Sequence, residues 1–268
     1  MLKECIPGCG WGSRILSGFL LSLGFVACAN AIPNGTRTSD YAYVGAVYFG
    51  GYWGSGVLIA PGVVLTAGHV VEDANDSRTT PFFLRGADPL SDPGVVGYFS
   101  YTVLHPLYET GDFDQYDIGL IFLSGSVGLE EYVALSSEPG LALRSETVDI
   151  VGYGSDLVRS KTTNRINDAL TTEALLYVVG ESGVVEPGDS GGGLFVERDG
   201  QKRLAGITSW TTGEISAFAS VSYYRDFIDE HVRGVAWLPA SAVTQPGTAS
   251  LVGLGLLGLC MNRKRTTA

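Results

Sequence analysis

The chain has 268 residues, 45% of them apolar, enough to bury one large core or two smaller ones. Its 28 acidic residues outnumber 17 basic ones for a net charge of −11, and several of the basic ones (Lys3, Arg14, Arg263, Lys264, Arg265) lie at the two ends. A body this acidic excludes nucleic acid and anionic membrane surfaces as partners and suits a soluble exported protein.

The N-terminal segment has a basic start (Lys3, Arg14), an apolar run from Ile15 to Ala27, and Ala29-Asn30-Ala31. That is the layout of a secretory signal peptide, and the run falls short of the roughly 20 apolar residues a membrane span needs. Cleavage is expected after Ala31, making residues 1–31 the signal peptide and Ile32 the new N-terminus. Cys28 admits a lipoprotein alternative, although Phe25-Val26-Ala27 matches a lipobox poorly. The cysteines are Cys5, Cys9, Cys28 and Cys260, so nothing between Ala29 and Leu259 can form a disulfide or a thiolate metal site.

From Tyr41 to about Val221, short β-branched and aromatic runs alternate with Gly, Pro, Asp and Ser: Tyr43–Phe49, Gly56–Ile59, Val63–Thr66, Ile118–Leu123, Val148–Val151, Leu175–Val179 and Leu204–Thr208. Many short strands at this spacing predict an all-β barrel or sandwich. One helical pattern appears late, over Val221–Val232, with Tyr224, Phe227 and Ile228 on one face. Ser136-Ser137-Glu138-Pro139-Gly140 reads as a linker, dividing an N-terminal unit (32–137) from a C-terminal one (138–234). Beyond Gly234 the composition turns to Ala, Pro, Thr and Gly, and a Leu/Gly-rich run, Ser250–Met261, ends in Asn262-Arg263-Lys264-Arg265.

The stretch that carries chemistry is Glu186-Pro187-Gly188-Asp189-Ser190-Gly191-Gly192-Gly193. Glycines permit a tight turn just before the apolar run Leu194-Phe195-Val196, and such a turn can expose a serine hydroxyl beside converging backbone N–H groups. Three histidines are available as a base. His105, before a proline, and His231, on the late helix, read as structural; His69 follows a buried strand and a small-residue turn, Thr66-Ala67-Gly68.

Thr66-Ala67-Gly68-His69, Asp117-Ile118-Gly119-Leu120 and Gly188-Asp189-Ser190-Gly191-Gly192 occur in that order, and together they resemble the trypsin/chymotrypsin-like serine proteases. His105-Pro106-Leu107-Tyr108, Gly152-Tyr153-Gly154 and Gly206-Ile207-Thr208-Ser209-Trp210 add to the likeness, which covers roughly Ile32 to Gly234 and suits a compact bacterial member. The resemblance implies two antiparallel six-stranded β-barrels with a C-terminal helix. It also implies a serine endopeptidase acting on proteins or peptides, with Ser190 as nucleophile, His69 as general base and Asp117 orienting the imidazole. Asp112 and Asp114 are nearby rivals for the last role, but only Asp117 opens the apolar strand. Gly188 and Ser190 N–H groups would form the oxyanion hole, and the amine of Ile32, once free, would pair with Asp189. Ser209-Trp210-Thr211 resembles the segment that pairs with substrate backbone.

By the same resemblance, six residues before Ser190, the pocket base would fall on Val184, with Thr211 and Ala217 where the family's pocket walls are expected, which implies small or medium apolar P1 residues because a buried cation would have no partner there. Glu186, near the pocket entrance, could still impose some charge preference. Val70 and Glu186 stand where the family usually has cysteines, and Pro33 departs from the usual mature start. Glu72, Asp73, Asn75 and Asp76 form an oxygen-rich segment expected to be a solvated loop, since its spacing fits no calcium pattern. No metal or cofactor is expected.

The tail (235–268), with Thr244-Gln245-Pro246-Gly247, the apolar run and the closing basic residues, resembles a PEP-CTERM sorting signal in which Gln245 replaces the Glu. It implies transient membrane anchoring in a Gram-negative envelope, with signal peptidase and an exosortase as processing partners. A rhombosortase-type signal or a simple anchor would have a similar layout. The alternative from another class is a non-catalytic envelope binding protein on the same fold.

Overall fold

A computed structural model describes residues 32, 35–109, 115–124, 132–180 and 183–239. The signal peptide, the apolar tail with Cys260, and Asp112 and Asp114 lie outside the described residues. The strands in chain order begin with β1 (Thr36–Arg37), β2 (Val44–Phe49), β3 (Tyr52–Ala60) and β4 (Val63–Thr66). Helix α1 (Gly68–Asp76) follows, then β5 (Phe82–Leu84), β6 (Val96–Leu104), β7 (Gly119–Ser124) and β8 (Ala134–Ser136). A 3₁₀ turn (Gly140–Leu143) leads to β9 (Thr147–Gly152), β10 (Ser160–Arg165), β11 (Leu175–Val179) and β12 (Gly193–Arg198). The chain closes with β13 (Gln201–Thr211), β14 (Ile215–Ser220), α2 (Arg225–His231) and β15 (Trp237–Leu238).

Strands β2-β3-β4-β7-β6-β5 form a closed antiparallel barrel. Val44, Ala46, Leu58, Val64, Leu120 and Phe83 are buried, and β2, β3 and β4 are buried along most of their length rather than on alternate residues. The second sheet runs β1-β10-β9-β12-β13-β14-β11. It curls until Ile166, just beyond β10, bridges Val178 of β11, so a single isolated bridge, not a ladder, brings its ends together. β8 pairs with β13 and β15 in parallel, which departs from a purely antiparallel design. The second sheet also takes β1 and β8 from the N-terminal side of the sequence boundary at 137/138, because backbone pairing is indifferent to the composition shift that suggested a linker.

Two other expectations change. The oxygen-rich segment after His69 is the end of α1, because Val70, Val71 and Ala74 give one helix face an apolar contact while the acids point outward. The late helix is shorter than Val221–Val232: the Val221 N–H is held by the Ala205 carbonyl, which keeps that end on the sheet until Tyr224. One buried cluster fills the first barrel and continues through Tyr153, Phe195, Leu204 and Ile207 onto the second sheet. A second packs within the curled second sheet and includes Ile32.

Candidate active site

β4 ends at Thr66 and α1 begins two residues later, which puts His69 in the helix's first turn. Asp117 lies two residues before β7, which pairs with β4 along its length. Antiparallel pairing thus brings the end of one strand beside the start of the other. Gly68 lets the two segments meet: a Cβ there would come within 3.1 Å of the Ile118 nitrogen and 2.8 Å of the Tyr108 ring. Tyr116 takes a left-handed φ of 62° and its N–H is held by the Tyr224 hydroxyl at 3.0 Å, turning the chain so that Asp117 faces inward.

The Asp117 carboxylate is 1% exposed. It accepts the His69 backbone N–H at 2.9 Å and lies 3.1 and 3.0 Å from the ring Nδ1 through its two oxygens. A carboxylate only accepts, so Nδ1 carries the proton and Nε2 is left as the basic nitrogen. The Ser209 hydroxyl donates to Asp117 as well. Ser209 reaches it from a β-bulge in β13, between Thr208 paired with Phe218 and Trp210 paired with Ala217. A bulge re-aims a side chain, and here it turns a sheet residue onto the carboxylate.

The Ser190 turn is anchored at its back. The Ser190 carbonyl accepts the Ser55 N–H at 2.7 Å, the Gly191 N–H donates to Thr208 at 2.9 Å, and the Gly192 N–H closes the turn on the Asp189 carbonyl at 2.7 Å. Gly191, at φ 82°, passes so near β3 and β4 that a Cβ would lie 2.0 Å from Thr66 Oγ1 and 2.1 Å from the Ser55 carbonyl. Gly188, at φ 99°, could not carry a Cβ either, because Gly154 O would be 2.4 Å away. Ser55 Oγ donates to the Gly188 carbonyl at 2.9 Å and accepts the Tyr153 N–H at 3.1 Å. Among the described residues the N–H groups of Gly188 and Ser190 have no protein acceptor.

A family model, trypsin, matches residues 32–228. The chain belongs to the trypsin family. It is a serine-type endopeptidase. No functionally curated protein matches it. Among solved structures, neuropsin, a serine protease expressed in the limbic system of mouse brain, superposes with a TM-score of 0.60 at 21% identity. The match covers 74% of this chain and 98% of neuropsin, and at that identity it speaks for the fold.

In this trypsin-family chain Asp189 is wholly buried, its carboxylate accepting N–H groups from Gly154 at 2.9 Å and Glu186 at 3.0 Å. Burial pushes its pKa well above the usual carboxylate range; the two N–H groups pull it down, and the Glu186 and Asp156 carboxylates push it up further. Among the described residues no cation is bonded to it. The Ile32 side chain is fully buried with Leu143, Val148, Ile150 and Val185. Val184 is buried, and its neighbour Val185 donates its N–H to Ser216 Oγ at 2.9 Å. Trp210 meets Tyr177 edge-on at 6.0 Å, and the Thr211 hydroxyl is turned onto the Ile215 carbonyl. Ala217 is wholly buried opposite Trp210, and the residue opposite Thr211 is Ser216. Ser55 and Ser216 escaped the sequence reading, because neither sits in a motif and both act through distant partners. Among the described residues no cluster of His, Cys, Asp and Glu could hold a metal, and no helix is long and apolar enough to cross a membrane.

Proposed function

We propose that Ser190 Oγ attacks the scissile carbonyl while His69 Nε2 takes its proton, forming an acyl-enzyme that water then hydrolyses. His69 returns the proton to the leaving amine, and Asp117 holds the tautomer and stabilises the imidazolium. The N–H groups of Gly188 and Ser190 bind the oxyanion. One observation carries this reading: a buried Asp117 carboxylate that grips both the ring and the backbone of His69. Labelling with a fluorophosphonate probe tests it. The wild type should react, while Ser190→Ala should not and His69→Ala should react far more slowly. An unreactive wild type, correctly processed, would favour the binding-protein alternative.

The finer reading is a preference for small or medium apolar P1 residues. It is supported by the apolar Val184 and by Thr211, with the Ser216 hydroxyl already engaged by the backbone. A peptide library cleaved chiefly after Arg or Lys would refute it. The amine of Ile32, freed by signal peptidase, is proposed to pair with Asp189, whose buried charge otherwise lacks a counter-ion among the described residues. The protein is proposed to be exported to the envelope or medium of a Gram-negative bacterium, its tail anchoring it until an exosortase acts. Terminal sequencing and intact mass would detect starts other than Ile32 or a retained tail.

A further inference from the structure

Glu186 stands two residues before Gly188, on the approach to the turn that carries Ser190. Its main chain is tied reciprocally to Asp189: the Glu186 N–H donates to Asp189 Oδ2 at 3.0 Å, and its carbonyl accepts the Asp189 N–H at 3.0 Å. Its side chain leaves this turn altogether. Oε1 accepts both the N–H of Ser155, at 3.2 Å, and the Ser155 hydroxyl, at 3.0 Å. Ser155 follows Gly154, whose N–H donates to the other oxygen of Asp189 and whose carbonyl is the wall against which Gly188 rests. A closed ring of contacts thus runs from Glu186 to Ser155, Gly154, Gly188 and Asp189.

We propose that Glu186 is a positioning residue that braces the oxyanion turn, by clamping the Ser155 backbone so that Gly154 holds Gly188 in place. The proposal rests on the serine-peptidase reading above. Electrostatics alone would disfavour an acid here, since its charge repels the buried Asp189 carboxylate and raises the energy of its ionised form. What Glu186 contributes is therefore an acceptor. One oxygen takes two hydrogen bonds from a loop with no disulfide to hold it, because the body of the chain has no cysteine. A neutral amide would supply the same acceptor without the repulsion.

That contrast sets the experiment. Losing an oxyanion donor outright lowers kcat by about 10²–10³-fold, so loosening its support in Glu186→Ala should lower kcat by roughly 10-fold or more with little change in KM. Glu186→Gln should recover most of that loss, and Ser155→Ala, which keeps the N–H, should fall between. Ser155 is solvent-exposed, so thermal melting of the Ala variant should stay close to that of wild type. Amide hydrogen exchange at Gly154 and Ser155 should quicken in Glu186→Ala but not in Glu186→Gln. Unchanged kcat and exchange in Glu186→Ala would overturn the brace, as would a Gln variant impaired as badly as the Ala one. A wild type that turns over no substrate would sink the peptidase reading instead, and the exchange rates would then decide the brace without it.

Discussion

Ser55 lies in the middle of β3 between two glycines, and its hydroxyl and N–H hold three separate points of the site. Oγ joins Gly188 O to the Tyr153 N–H, and the backbone N–H holds Ser190 O. Ser55→Ala keeps the last contact and leaves a buried donor and a carbonyl unpaired, which should cost about 1–3 kcal/mol in urea unfolding. It should also slow acylation, because the Gly188 peptide loses its tether; wild-type rates of probe labelling would contradict this. The residue reveals what the sequence hides. His69, Asp117 and Ser190 could be nominated from the sequence because each sits in a short contiguous motif. Ser55 was not, since its partner Gly188 is 133 positions away and nothing beside it in the chain marks the contact.

Elements were legible where their pattern was apolar. β4 and β11 match their expected bounds, whereas β10, with the sequence SKTTNR, offers no hydrophobic alternation and is a strand because β9 and β1 pair with its two edges. β10 and its neighbours also carry a polar knot. Asp149 of β9 accepts from Thr163 at 2.7 Å, Lys202 at 2.8 Å, Lys161 at 3.3 Å and the Tyr41 hydroxyl. Burial alone would raise its pKa, but the hydrogen bonds from Lys202, Tyr41 and Thr163 outweigh that and hold it well below the usual carboxylate range. A depressed folded-state pKa means that the stabilisation is present above the unfolded value, about 3.9, and is lost as pH falls toward the folded one. The urea midpoint should therefore drop as pH is lowered below about 4. Asp149→Asn should be less stable at neutral pH and show a shallower acid limb. Parallel acid limbs in the two proteins would refute the assignment.

The proposed site draws on both sheets: His69 and Asp117 belong to the first barrel and Ser190 to the turn before β12 of the second sheet. The family likeness conveyed that division, but the composition break at 137/138 did not show that β1 and β8 cross it. What fastens the halves is a buried cation that, among the described residues, has no carboxylate as a hydrogen-bond partner. Arg159, 2% exposed, donates to the carbonyls of Ser39, Asp40 and Arg85 and to the Tyr153 hydroxyl. Tyr153 in turn donates to Gly86 O at 2.6 Å. One planar guanidinium thus satisfies acceptors from the N-terminal segment, the first barrel and the second sheet. An ammonium group has three donors on one point and cannot span them, so Arg159→Lys should not rescue the fold. Arg159→Met restores the volume but leaves the Ser39, Asp40 and Arg85 carbonyls without the guanidinium donors, and both variants should melt below wild type. Because the proposed nucleophile, Ser190, and the proposed base, His69, sit on opposite halves, the fraction of molecules titrated by a fluorophosphonate should fall at temperatures below the melting point of either variant. A Lys variant with wild-type melting and full titration would show that charge, not the fork of donors, holds the halves together.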